Sequence, residues 1–387
     1  MRGIPCLGEG CTPRVARGRD QWSLDAVRLL AFRGGAFDRR QNLGSSASFF
    51  FDTATGYLRD DISFLRDKAV VHLGCHIETA ANYRRLMEAK PAFLLFVDTR
   101  YPGPSALADG LFPAYVNEYG ALPTMNVAYA DALLWNKKQA TRARLCVEGC
   151  RRKSVSQNVV VDLPGTDPDA GIIYFGGHHD TQAGTVGAND NAASSAAILE
   201  LARMLAHGER RRTLRLISFG AEEQLSVGSA AYVRRHRQEV ERDGRFMFNC
   251  DGAAPVLSWL SINYNGSDAC LDLLRDTLRR HGFYFELTKE VVPYTDQFAF
   301  AVCGVPGVWF HRKNCVAGVV SHHRHDDTME NINIDLLAAE IDAVAEFLTT
   351  LANESSSEEL AWDQSELKPK IDKIWNSMFG GWRGFNA

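Results

Sequence analysis

The sequence predicts an α/β fold built on a mostly parallel sheet that helices cover on both faces. Three observations carry that expectation. From about residue 154 onward, apolar runs of strand length alternate with amphipathic stretches of helix length. The runs are close to continuously apolar, as strands buried on both faces must be. The chain is also long enough, at 387 residues of which 45% are hydrophobic, to bury a sizeable core and to form about two domains.

Taken in order, residues 1–44 carry little pattern. "SLDAVRLLAF" reads as a helical segment, and Gly and Arg interrupt the residues after it. Residues 45–145 read as a small α/β domain. "DKAVVHLG", "AFLLFVDT" and "LPTMNVAY" are its strands, "IETAANYRRLMEA" has helical spacing, and "RYPGP" punctuates it. Residues 146–353 form the larger domain. There "QNVVVDLPG" and "GIIYFGGHHD" read as paired strands joined by the turn "GTDPDAG". "NAASSAAILELARMLAHG" is an amphipathic helix that ends near a glycine. "TLRLISFG", "RFMFNCDG", "LSWLSINY" and "VPGVWFHR" are further strands. "SVGSAAYVRRHRQEV", "ACLDLLRDTLRRHG" and "NIDLLAAEIDAVAEFLTTLAN" are further helices. Residues 354–387 form a tail, polar at first and then Trp-rich, with no assigned place.

Composition narrows the function. A net charge of -4 gives no basic footprint for nucleic acid. No run of eighteen apolar residues predicts a membrane span. The first twenty residues contain no apolar h-region, so the chain as written reads as cytoplasmic, or as secreted if its N-terminus is truncated. Nine cysteines are scattered through it. Only Cys6/Cys11 and Cys146/Cys150 are close pairs, neither at zinc-finger spacing, so free thiols are expected.

The chemistry gathers at strand ends. "GIIYFGG" runs into His178 and Asp180, "LRLISFGA" into Glu222 and Glu223, and "FMFNC" into Asp251. In an open α/β sheet, ligands bind at the carboxyl ends of the strands. Two further segments are placed to feed that edge: "GANDNAAS", with Asp190 ahead of a long helix, and "SHHRHDDT" ahead of the last helix. Each has a plainer reading alone. "NDN" is most simply an N-cap, "AEEQ" a solvated helix start and "CDG" a turn. Together they bring carboxylates into one place, where they repel one another unless a cation intervenes. Imidazole mixed with carboxylate suits zinc better than calcium or magnesium.

"GGHHDT … GANDNAAS … FGAEEQLSVGSAAYV … NCDG … HHRHDDTMENI" resembles the co-catalytic zinc exopeptidases of metallopeptidase family 28. The likeness covers most of residues 154–350, with the ligand motifs in family order. It implies a zinc exopeptidase fold, a three-layer α/β/α sandwich with a mixed, mostly parallel sheet, together with two Zn2+ ions, a peptide substrate and hydrolysis by a water that bridges the metals. By the same resemblance, His178 and Asp251 bind one zinc, Glu223 and His323 bind the other, and Asp190 bridges both. Glu222 is the implied general base, and Asp180 orients His178. His323 stands four residues before Asp327 of the "DT" pair, as the family pattern requires; His322 and His325 are alternatives close in sequence. His179, next along the strand, points to the other face. Residues 45–145 resemble the protease-associated domain often inserted in such enzymes.

The chain departs from the family at "TDQFAF", where Gln297 replaces a histidine. Aminopeptidase activity is the favoured expectation. Carboxypeptidase or dipeptidase activity, a glutaminyl cyclase-like acyltransferase and a non-catalytic binding relative are the alternatives. A carboxypeptidase requires a cation for the substrate's carboxylate, and Arg312, Lys313 and Arg324 are the nearby candidates in sequence.

Overall fold

The computed structural model describes residues 14–18, 21–25, 43–51, 61–74, 77, 79–97, 111–147, 154–315 and 318–384. The chain divides into two compact units, Met1–Lys153 and Ser154–Ala387. Among the described residues, no helix is long and apolar enough to cross a membrane.

In the first unit, β1 (Arg14–Gly18) and β2 (Gln21–Asp25) form an antiparallel pair. A strand therefore occupies the start of the segment expected to be helical, whose remainder, with "RYPGP" and the Cys6/Cys11 pair, lies outside the described residues. The main sheet contains β3 (Leu43–Phe51), β4 (Lys68–Leu73), β5 (Phe93–Val97), β6 (Thr124–Asn126) and β7 (Arg142–Val147), in the order β6-β5-β4-β3-β7. Only β7 runs antiparallel to its neighbour. The helices are α1 (Ala80–Ala89), α2 (Pro113–Tyr119) and α3 (Tyr129–Lys137). Thr79 starts α1 by accepting the Asn82 N–H on its hydroxyl at 3.1 Å. Val71, Phe93, Leu95 and Leu145 are at the centre of the core.

The second unit is a seven-stranded mixed sheet in the order β13-β12-β14-β11-β9-β10-β8. Its strands are β8 (Val159–Leu163), β9 (Ile172–His178), β10 (Thr213–Phe219), β11 (Gly244–Cys250), β12 (Trp259–Asn265), β13 (Phe285–Thr288) and β14 (Gly307–Lys313). β9, β10, β11 and β14 are parallel to one another at the centre. One face carries α4 (Ala193–Leu205), α7 (Asp268–Arg280) and α9 (Ile334–Asn353), packed on Ile173, Phe175, Phe248 and Phe310. The other face carries α5 (Val227–Arg235), α6 (Arg237–Asp243) and α8 (Gln297–Val302), packed on Ile172, Tyr174, Ile217 and Phe219. Alternate residues of each strand thus feed two cores, which makes the unit an α/β/α sandwich.

Three expectations need correction. β8 does not pair with β9. It pairs antiparallel with β10, Leu214 opposite Leu163, and β10 lies between them. The side chains explain the order: every residue of β9 is buried, as a central strand requires, while Val159, Val160 and Val161 are exposed at an edge. "SVGSAAYVRRHRQEV" is two helices that meet at His236. The tail also has a place. After α10 (Ser357–Leu360), α11 (Lys368–Phe379) buries Ile371, Trp375, Met378 and Phe379. Phe379 stacks on Phe298 of α8, and the Arg234 guanidinium lies 4.6 Å from the Trp375 ring centre while donating to the carbonyl of Gly381.

Candidate metal centre

The sheet order places the ends of β9, β10 and β11 side by side. In the parallel register, Phe219 of β10 lies opposite His178, and Asn249 of β11 opposite Gly176. His178 closes β9, Glu222 and Glu223 follow β10, and Asp251 follows β11 directly. The two glycines before His178 permit this crowding. A Cβ on Gly177 would lie 2.5 Å from the Cys250 carbonyl and 3.0 Å from the Ser194 side chain, and neither backbone nor helix has room to retreat.

Asp190 lies on the connection from β9 to α4. The N-cap reading of "NDN" fails, because α4 starts at Ala193 with no side chain capping it. Instead each residue of the triplet has a task. The Asn189 amide donates to the Ala253 carbonyl at 2.9 Å, and the Asn191 amide to the Cys250 carbonyl at 3.3 Å, so the loop is tied to the end of β11. The Asp327 carboxylate accepts the main-chain N–H groups of Asn189 and Asp190 at 2.9 and 3.0 Å. The Asp190 carboxylate is left facing the imidazoles. One of its oxygens lies 3.1 Å from His178 Nε2, and the other 3.2 Å from His323 Nε2.

The remaining donors surround that axis. Asp251 Oδ1 is 3.4 Å from His178 Nε2, and Glu223 Oε2 is 3.0 Å from His323 Nε2. All are withdrawn from water. His178 is 1% exposed and its Nε2 makes no well-formed hydrogen bond; Oε1 of Glu223 is likewise buried and unpaired. A tetrahedral zinc with ligands at about 2.0–2.1 Å has donor–donor edges of about 3.3–3.4 Å. Spacings of 3.0–3.4 Å around a shared carboxylate therefore fit divalent cations, and unpaired buried donors are what such cations satisfy. Two overlapping donor triads, His178–Asp190–Glu223 and Asp190–His322–His323, each lie within 4.8 Å.

Glu222 stands apart from the donors, with Oε2 3.9 Å from His178 Nε2. Its Oε1 accepts the Ser226 hydroxyl at 2.8 Å. Burial, then the neighbouring Asp296, Asp251 and Glu223 carboxylates, push Glu222 well above the usual carboxylate range, against the pull of His178. The turn that presents it is tightly wound. Ala221, Leu225 and Ser226 all take positive φ, at 59°, 69° and 47°, and bracket the short helical turn Glu222–Gln224.

Asp180 relates to His178 less directly than the resemblance implies. The ring Nδ1 meets the main-chain carbonyl of Asp180 at 3.0 Å, and the carboxylate is 3.6 Å away. That carboxylate accepts the N–H groups of Glu222 and Glu223 at 3.0 and 3.3 Å, so it fixes the acidic turn. His179 is exposed, meets Ser218 Oγ at 2.9 Å and takes no part in the cluster. His325 is exposed as well.

Two supporting groups have no role in the sequence reading. Asp327 is the loop anchor just described. Asp296, in the "TDQFAF" segment, is fully buried beside the Ser229 hydroxyl. Burial raises it to about 7. Gln297 beside it is buried, with its Oε1 unpaired.

Fold and site together define a buried cluster of metal-type donors at the carboxyl edge of an α/β/α sheet. Residues 158–348, just under half of the chain, match the model of Peptidase family M28. An aminopeptidase of Pseudomonas aeruginosa is 30% identical over 132 residues, 34% of this chain and 24% of the relative. Aminopeptidase YwaD of Bacillus subtilis is 33% identical over 97 residues, 25% of this chain and 21% of that one. These matches span about a quarter of the relatives' length. Among solved structures, a Peptidase M28 precursor from Shewanella amazonensis aligns with a TM-score of 0.68 at 20% identity, covering 84% of this chain and 77% of the other. A zinc aminopeptidase from Bacillus subtilis aligns at 0.63 and 20% identity, covering 82% and 78%. At that identity the structural likeness speaks for the fold.

Proposed function

We propose that the second unit is a zinc-dependent exopeptidase with two metal positions sharing Asp190, and that it acts on peptides with a free amino end. The observation that carries the reading is Asp190 itself: a buried carboxylate with one oxygen 3.1 Å from one imidazole and the other 3.2 Å from a second. His178 and Asp251 would hold one zinc, and Glu223 and His323 the other. Bound there, the pair supplies Lewis acidity, which acidifies water and polarises a carbonyl. Glu222 is the proposed base. Ser226 holds Oε1, so Oε2 is free to take a proton from water and hand it to the departing amine. Asp180 keeps the main chain of Glu222 and Glu223 in place throughout.

The direction of cleavage rests on two arguments. The relatives named above are aminopeptidases. The three cations considered as receptors for a substrate carboxylate are also engaged elsewhere. Arg312 pairs with Glu340 at 2.8 Å, Lys313 with Glu286 at 3.5 Å, and Arg324 donates to the Val320 carbonyl and faces Asp326. We read the first unit as a protease-associated module, from the order and pattern of its strands.

A panel of peptides with free and blocked amino ends, assayed with and without a chelator, tests the proposal. Cleavage of only the free-amine substrates, abolished by chelation and restored by zinc at about two ions per chain, is the expected result. Chelator-resistant turnover would overturn the metal reading. Preference for blocked amines with a free carboxylate would overturn the direction.

A further inference from the structure

We propose that His322 is a third imidazole donor in this centre, binding the metal on the His323 side together with His323 and Asp190. The proposal rests on the two-metal reading above and goes beyond its ligand set, which has one histidine for each metal. Two observations carry it. His322 Nδ1 lies 3.3 Å from the same Asp190 oxygen that faces His323 Nε2 at 3.2 Å, close to the donor–donor edge of about 3.3–3.4 Å expected at zinc. The donor atoms of Asp190, His322 and His323 all lie within 4.8 Å of one another, which makes this a metal-sized group in its own right. The two rings stack, with centroids 3.7 Å apart and planes inclined by 20°, so binding one ion requires the His322 ring to turn until the lone pair of Nδ1 points at it.

Adjacent residues seldom aim at one point, because in extended chain their side chains alternate. The backbone here removes that obstacle. His323 has a φ of +53°, in the left-handed region, within a turn closed by the N–H of His322 on the Val319 carbonyl at 2.9 Å and that of Arg324 on the Ser321 carbonyl at 3.0 Å. A non-glycine residue in this region is strained and persists where its surroundings impose it. The conformation turns both rings toward Asp190, while His325, two residues on, is exposed. His322 keeps a third of its side-chain surface in contact with solvent, so it is the outermost donor and stands where an ion would enter.

Zinc X-ray absorption on the loaded full chain tests the idea directly, with affinities from competition against a chromophoric chelator as the second measurement. The parent should show about three imidazoles for every two zincs, from His178, His322 and His323. His322→Ala and His322→Phe should show two, retain both ions at saturation, and bind one of them about 10–100-fold more weakly, the size of loss that damage to a metal's supporting groups causes. An imidazole count of two in the parent, or unchanged affinity in both variants, overturns the proposal and leaves the two-metal reading intact. A parent that binds no zinc overturns both. Because the parent spectrum is informative alone, a variant that misfolds does not remove the test.

Discussion

Replacing Asp180 with asparagine removes one of the two carboxylate oxygens that hold the acidic turn. The parent accepts the Glu222 N–H at 3.0 Å and the Glu223 N–H at 3.3 Å. An asparagine satisfies one of these with its carbonyl and turns its own NH2 toward the other, donor against donor. A hydrogen bond to a charged group is worth about 1.5–3 kcal/mol. Asp180 retains 27% of its side-chain exposure, so water relieves part of the loss, and about 1–2 kcal/mol is the expected destabilisation. For a unit of this size, that corresponds to a drop of about 2–8 °C in melting temperature. The effect on rate should be larger than the effect on stability. Displacing the Glu222 main chain by a fraction of an ångström moves the proposed base, and misplacement on the ångström scale costs about 10²-fold. Calorimetry and initial rates on a free-amine peptide measure both effects in the full chain. Zinc affinity should fall less than turnover, because the ring N–H of His178 still meets the main-chain carbonyl of residue 180 while Glu223 loses part of its main-chain support. A variant with parental melting temperature and rate, or one that loses zinc while keeping its melting temperature, would refute this account of Asp180.

Three other outcomes are expected. Glu222→Gln should keep both metals and lose about 10²–10⁴-fold in turnover; parental turnover in the metal-replete variant would remove Glu222 as the base. Arg312→Ala leaves the buried Glu340 uncompensated and should cost about 3–5 kcal/mol in urea unfolding, without altering discrimination between substrates with free and amidated carboxyl ends. Selective loss of activity on free-carboxylate substrates would instead make Arg312 their receptor. His311 is buried, stacked on Trp309 at 3.6 Å, and lowered to about 3 by burial and then by Lys313. Its unfolded value is the higher one, so the unfolded chain binds the extra proton. Its contribution to stability is complete above pH 6.5 and is lost on acidification toward pH 3, by about 1.4 kcal/mol per unit. His311→Gln should therefore flatten the stability–pH curve of the metal-free protein between pH 6 and 4, and parallel curves would exclude this.

Much of the second unit could be read from its residues because each central strand is a continuous apolar run and each long helix repeats at helical period. The neighbour of a strand is not encoded that way. Val159–Leu163 is as apolar as an inner strand, and only the structure shows that it takes the edge beside β10. β13 is four residues long, and α8 is buried on every side, so "QFAFAV" carries no period to detect. α11 did carry a signal: Ile371, Trp375, Met378 and Phe379 fall at the offsets of one helix face. At the centre, residue types announced the chemistry, and strand ends announced the place. That His322 and His323 face Asp190 while His325 does not was decided by the backbone at His323, and the main-chain contacts of Asp180 by hydrogen bonds across 42 and 43 residues.

The three left-handed residues around Glu222 bear on how this protein responds to engineering. Ala221, Leu225 and Ser226 hold a conformation that glycine adopts freely, so glycine at Ala221 or Leu225 relieves strain in the folded state while loosening the unfolded chain, and at Ser226 it also removes the hydroxyl that holds Glu222. Selection for thermal robustness and selection for turnover would then favour different residues at these positions. Libraries screened by melting alone would enrich sequences whose acidic turn no longer has a single shape.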